Sequence, residues 1–122
     1  VNKRNREGKN AVQRALGLVK QETGVSLSKT ALGIIGTATA ALNPAVAATV
    51  AGSIGVGYLG RTINRHGKAA TLKAFAELVA ATNKAIKMAN NPTTIEALEM
   101  DRLILVDMMN EIRQFEESEE DE

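Results

Sequence analysis

Cysteine and tryptophan are absent from the 122 residues, and aromatic side chains are reduced to Tyr58, Phe75 and Phe115. Without thiols there is no disulfide framework and no thiolate metal site, and nothing follows about the redox state of the compartment. Without aromatics, a core has to be assembled from Ala, Leu, Ile, Val and Met, which favours helices that approach one another closely. Strand-period alternation is missing throughout, and charge is missing from Thr30 to Gly60. No initiator Met stands at Val1, so the chain is expected to be cut from something longer, with EESEEDE as its true C-terminal end.

The charge that is present is strongly segregated. Residues 1 to 29 carry seven Lys/Arg against two Glu, and residues 61 to 91 carry six against one. Residues 92 to 122 carry two against eleven, so a net charge of +1 conceals two basic blocks and an acidic end. Such asymmetry points to electrostatic partners. Small-residue triplets at Ala38-Thr39-Ala40 and Ala45-Val46-Ala47 imitate signal-peptide cleavage sites, but a 29-residue stretch before the apolar run is too long for a secretory leader.

The periodicity predicts an all-α chain of about five helices, with a central Gly/Ala-rich helical hairpin and two flanking amphipathic helices. Residues 1–9 read as a mobile basic arm. In residues 10–29, Val12, Ala15, Leu16 and Val19 recur at helical spacing after Asn10 as N-cap and before Gly24 as stop. Ser26 or Ser28 caps the next helix. Residues 30–66 form the apolar hairpin, broken at Asn43-Pro44, because Asn as N-cap with Pro at the first helical position starts a new helix; a Pro kink in one continuous helix is the alternative. Residues 67–117 form a two-helix amphipathic segment. Its first helix has Leu72, Phe75, Val79, Thr82, Ile86 and Ala89 on one seam and ends at Asn90-Asn91-Pro92. Its second opens with the capping-box pair Thr93 and Glu96 and buries Leu98, Leu105, Met108, Ile112 and Phe115. LILVDMM, at 103–109, is apolar almost all round, which implies contacts on more than one side. Residues 118–122 are a solvated acidic tail.

Thirty-one consecutive uncharged residues exceed the roughly 20 that a helix needs to cross a hydrocarbon core. Their Gly, Thr, Asn and Pro content makes the stretch a marginal membrane segment. It has small residues at every fourth position instead, Gly33/Thr37/Ala41 before the break and Ala47/Ala51/Gly55 after it, a spacing that lets backbones approach closely in lipid or in protein. Interior glycines cost up to about 1 kcal/mol each relative to Ala, so Gly33, Gly36, Gly52, Gly55, Gly57 and Gly60 are expected to be compensated by tight packing. Equal basic flanks fit a hairpin, whose arms of about 13 and 17 residues reach ~20 and ~25 Å. Membrane contact and burial in a soluble helical assembly both stay open on this ground. Lys3, Arg4, Arg6 and Lys9, with Arg61, Arg65 and Lys68, are candidate contacts for an anionic partner, either lipid headgroups or nucleic acid, set against the plainer reading of a solvated face.

Catalytic chemistry has little to draw on. The glycines from Gly52 to Gly60 lack the preceding strand and the Lys-Ser/Thr pair of a phosphate loop. His66, the sole histidine, reads as an exposed linker residue, and Asp101 and Asp107 fall on different helix faces. Asp101 lies on the apolar seam, where a Lys of another helix is its expected partner. No nucleophile, base and orienting group can be assembled, so no catalytic residue, metal ligand, cofactor or small-molecule substrate is assigned.

The basic N-terminal stretch, the run GIIGTATAALNPAVAATVAGSIGVGYLG and the helical TLKAFAELVAATNKAIKMANNPTTIEALEMDRLILVDMMNEI resemble, in composition and order over most of the chain, the C-terminal parts of inner-virion ejection proteins of short-tailed phages. The resemblance implies a non-enzymatic, oligomerising segment of a larger membrane-active protein, stored in a virion and assembled with other structural proteins into a channel for DNA delivery. The expected location is then the virion or a membrane, otherwise the cytoplasm. A soluble scaffolding protein whose Gly/Ala hairpin is a buried packing core is the alternative.

Overall fold

Two glycines with positive φ punctuate the described helices. Gly24 (φ 70°) stops the first helix, its N–H donating to the Lys20 carbonyl at 2.8 Å in a left-handed cap. Gly67 (φ 91°) turns the chain between two later helices, donating to the Ile63 carbonyl at 2.7 Å while its own carbonyl accepts from the Thr71 N–H and hydroxyl. A side chain at either position would be strained.

The computed structural model describes residues 2–41 and 57–120. Within them the chain is all-α: α1 (Asn2–Thr23), α2 (Lys29–Ala41), α3 (Gly57–His66), α4 (Lys68–Met88) and α5 (Pro92–Glu120). The expected break at Asn43 and Pro44 and the small-residue row Ala47, Ala51, Gly52 and Gly55 lie outside the described residues.

Several boundaries differ from the expectation, each for a local reason. α1 begins at Asn2, not Asn10, so the basic run of residues 1–9 is mostly the first turns of a helix. Lys, Arg, Glu and Asn are all compatible with a helix, and only Gly8 weakens the run. α2 is capped by Ser28, whose hydroxyl accepts from the Ala31 N–H at 3.2 Å. α5 starts on Asn91-Pro92 and not on the Thr93/Glu96 box: the Asn91 side-chain oxygen accepts from the Thr93 N–H at 2.8 Å, and Pro92 takes the first helical position. α5 also runs through Glu120, past the expected end near 117.

α1, α4 and α5 pack against one another as a three-helix frame. Arg14 meets Asp101 while Val19 clusters with Leu98, so α1 and α5 are antiparallel, and Asn83 meets Arg102 while Lys68 reaches Arg113, so α4 and α5 are too. α2 lies antiparallel on α4, with Ser28 beside Glu77 and Thr37 beside His66 at the head of α4. It also contacts α3, yet touches α1 only sparingly. The main core joins Val12, Ala15, Ile34, Ile35, Phe75, Leu78, Leu105 and Ile112 with several alanines, and a smaller cluster of Val19, Ala85 and Leu98 extends it.

The seam of α4 is rotated from the expected one. Thr71, Ala74, Phe75, Leu78, Thr82 and Ala85 are buried, while Leu72, Val79 and Ile86 are only partly covered. Small Thr and Ala on the inner face let three helices meet around α4, and the larger residues close its flanks. Thr82 and Thr71 keep their hydroxyls satisfied by donating to the Leu78 and Gly67 carbonyls one turn back.

Candidate interaction surfaces

No described helix is long and apolar enough to cross a membrane, and among the described residues no group of three or more His, Asp or Glu could hold a metal ion. The features that remain are surfaces and the polar ties that hold them in place.

The strongest tie is between the first and last helices. Arg14 Nε donates to Asp101 Oδ2 at 2.8 Å and Nη2 to Oδ1 at 2.6 Å, a bidentate pair with a fully buried carboxylate and a half-exposed guanidinium. The hydrogen bond to Asp101 raises the Arg14 pKa above its ordinary value; burial opposes the shift and the charge of Asp101 supports it. The partner of Asp101 is thus an arginine and not the expected lysine, because a planar fork satisfies both oxygens of a carboxylate that no water reaches.

His66 is half-buried at the end of α3 and not an exposed linker residue. The Thr37 hydroxyl donates to the Gly33 carbonyl at 3.0 Å, which leaves its oxygen to accept from His66 Nε2 at 3.0 Å and ties α2 to α3. At the other end of α2, Glu77 of α4 accepts from the Ser28 N–H at 2.8 Å and from its hydroxyl at 3.1 Å. A carboxylate at a helix N-terminus also meets the positive end of the helix dipole.

Of the expected packing residues, Thr37 is engaged as described, Ala41 ends α2, Gly57 opens α3 and Gly60 is buried within α3. Gly33 and Gly36 are exposed, and an added Cβ at either would meet nothing within 4 Å. Neither is tightly packed by a described helix. Gly33→Ala and Gly36→Ala are therefore each expected to stabilise the folded chain by about 0.5–1 kcal/mol, read as a rise in thermal midpoint. A fall in midpoint would show that α2 needs close approach at these positions.

The expected anionic-partner contacts are dispersed. Lys3, Arg4 and Arg6 stand on the first turns of α1, and Arg61 and Arg65 are exposed on α3. Lys68 is half-buried, with its Nζ 3.5 Å from the Arg113 carbonyl. Lys9 lies elsewhere, on the rim of a groove.

That groove, of about 400 Å³, opens where α1 and α2 diverge, with Lys9, Gln13 and Leu16 on one wall and Leu32, Gly36 and Ala40 on the other. Leu32 is 39% exposed there. Among the described residues, three of the six exposed large apolar side chains lie close together on α5, where Met100, Leu103 and Val106 are 55%, 68% and 38% exposed. The all-round apolar character of 103–109 is the sequence signal for it. Leu105 and Met108 serve the core, and the other side of the same segment is left exposed by the described helices.

The fold and these surfaces define the class: an all-α bundle with an uncovered apolar helix face and an open inter-helix groove. No protein-family model matches this chain, and no curated protein or solved structure matches it.

Proposed function

We propose that this chain is a non-enzymatic assembly module that associates with copies of itself and with other structural proteins. The observation that carries this reading is the outward face of α5. A leucine two-thirds exposed between two exposed apolar neighbours is costly to leave in water, at about 25 cal/mol per Å² of apolar area, and gains by being covered.

The resemblance to ejection proteins supplies the wider setting of this proposal, a segment of a larger membrane-active protein that takes part in a channel for DNA delivery. Support comes from charge: exposed Arg61 and Arg65 follow the uncharged stretch, and a basic α1 precedes it, as anionic headgroups or nucleic acid require. The soluble-scaffold reading uses the same bundle without the lipid.

Sedimentation velocity tests the assembly. The sedimentation coefficient is expected to rise with concentration, and Leu103→Asp is expected to return the chain to a monomer with its helical circular dichroism intact. A monomer at about 100 μM, where even weak contacts are populated, sinks the reading. Flotation with anionic liposomes then separates the settings: a chain left at the bottom of the gradient at low salt belongs to the soluble scaffold.

A further inference from the structure

The walls of the groove and the stripe on α5 share one spacing. On α1 the groove-lining Lys9, Gln13 and Leu16, continued by Lys20 one turn beyond the lining, follow one another at four, three and four residues, which places them on one helix face. On α5, Glu96, Met100, Leu103 and Asp107 follow at four, three and four as well. In each row the terminal charges lie eleven residues apart, or ~16 Å along the helix, with uncharged side chains between them. The charges are opposite: lysine at both ends of one row, carboxylate at both ends of the other.

The surroundings reinforce the contrast. Lys29, exposed in the first turn of α2, falls by helical spacing on the face of α2 that carries Leu32, Gly36 and Ala40, whereas the α1 acids Glu7 and Glu22 fall on the opposite side of α1 by the same periodicity. Glu77, which reaches the same end of α2, is held by Ser28. Around the stripe, Glu99 adds a third carboxylate, and the cations of α5 are engaged elsewhere, Arg102 with Asn83 at 2.7 Å and Arg113 with Asn110 at 3.0 Å.

We infer that the acid-rimmed apolar ridge of α5, centred on Leu103, docks into the lysine-rimmed groove between α1 and α2 of a second copy of this chain. This mode rests on the assembly reading above. A chain cannot fill its own groove this way, because Arg14 and Asp101 hold α5 on a different side of α1 and turn the ridge outward. Ridge against ridge, the two-fold alternative, sets Glu96, Glu99 and Asp107 against their own copies. Ridge into groove pairs the carboxylate row of one copy with the lysines of the next and leaves each pair with one free ridge and one free groove. Such a head-to-tail contact closes into a ring or extends into a filament according to its rotation. Because most of the rim charges are exposed, salt weakens the contact.

Charge reversal in two separate variants tests this, with sedimentation velocity as the readout and circular dichroism as the check on folding. Lys9→Glu with Lys20→Glu, and separately Glu96→Lys with Asp107→Lys, are each expected to weaken self-association at least tenfold. Mixed in equal amounts, the two variants are expected to associate again, since each ridge then meets a groove of opposite sign. Leu103→Ser, at an exposed position, supplies an independent loss of association without reversing any charge. If the unaltered chain associates but the mixture does not recover, the docking mode is overturned while the assembly reading stands. The docking mode is overturned in the same way if Leu103→Ser dissociates the chain while neither charge reversal does, the result a ridge-to-ridge dimer gives. A chain that never associates removes both.

Discussion

Arg14→Ala is expected to lower the unfolding free energy by about 3 kcal/mol, although only half of that side chain is shielded from water. The cost comes from what is left behind. Asp101 is fully buried, so losing the guanidinium strands a carboxylate that must be desolvated without a partner. Asp101→Ala is expected to cost less, about 1–2 kcal/mol, because Arg14 can then turn its charge into solvent. Removing both together, as Arg14→Met with Asp101→Leu, is expected to recover most of the loss. Arg14→Lys should fall between, since an ammonium cannot match both oxygens. Urea unfolding of the four variants reads this order directly, and an Arg14→Ala variant within about 0.5 kcal/mol of the parent would remove the clamp from any structural role. The raised Arg14 pKa makes its contribution fully present below the ordinary arginine range and lost only as pH rises through the raised value. The arginine therefore stays charged across neutral pH.

Phe75→Ala is expected to be the most damaging truncation of an apolar side chain, at about 3–5 kcal/mol. Phe75 is fully buried, heads the buried residues by volume, and lies in a core whose other buried members are aliphatic side chains, four of them alanine, and Met108. Alanine neighbours have no length with which to collapse into the void, so the cavity persists. Phe75→Leu keeps most of the volume and should cost about 1 kcal/mol. Phe115, only partly buried against the same core, should tolerate either change better. Thermal unfolding in a calorimeter separates them, with a drop on the order of 15 °C expected for Phe75→Ala. A Phe75→Ala variant no less stable than Phe115→Ala would show that the core repacks freely around α4.

The all-α class, the stops at Gly24 and before Pro92 and the buried face of α5 were legible in the sequence, because apolar side chains at helical spacing and glycine or proline punctuation are local signals. What was not legible depended on how many neighbours a helix has. The seam of α4 reads as a two-helix seam through Leu72 and Val79. Three helices meet there, and the smaller Thr71, Ala74 and Ala85 form the inner row. The basic run before Asn10 reads as an arm because it lacks an apolar face, yet its residues extend a helix already nucleated downstream. Arg14 gives a weak sign of its role by standing one turn after Ala11, beside the apolar stripe, but the register that brings it to Asp101 is tertiary. Of the candidate surfaces, the α5 stripe was half-visible in LILVDMM. The groove was not, since it arises from the divergence of two helices whose own sequences do not record the angle.

The clamp between α1 and α5 joins residues 87 apart, and this has a consequence for the order in which the chain is made. α1 emerges early, and the helix that follows it covers it only sparingly. Its apolar residues Val12, Ala15 and Val19 are fully sheltered only when the later helices α4 and α5 join them. Closure of the frame is a late, long-range event, slower than hairpin formation between neighbouring helices, and until Asp101 arrives the young chain is at its most adhesive.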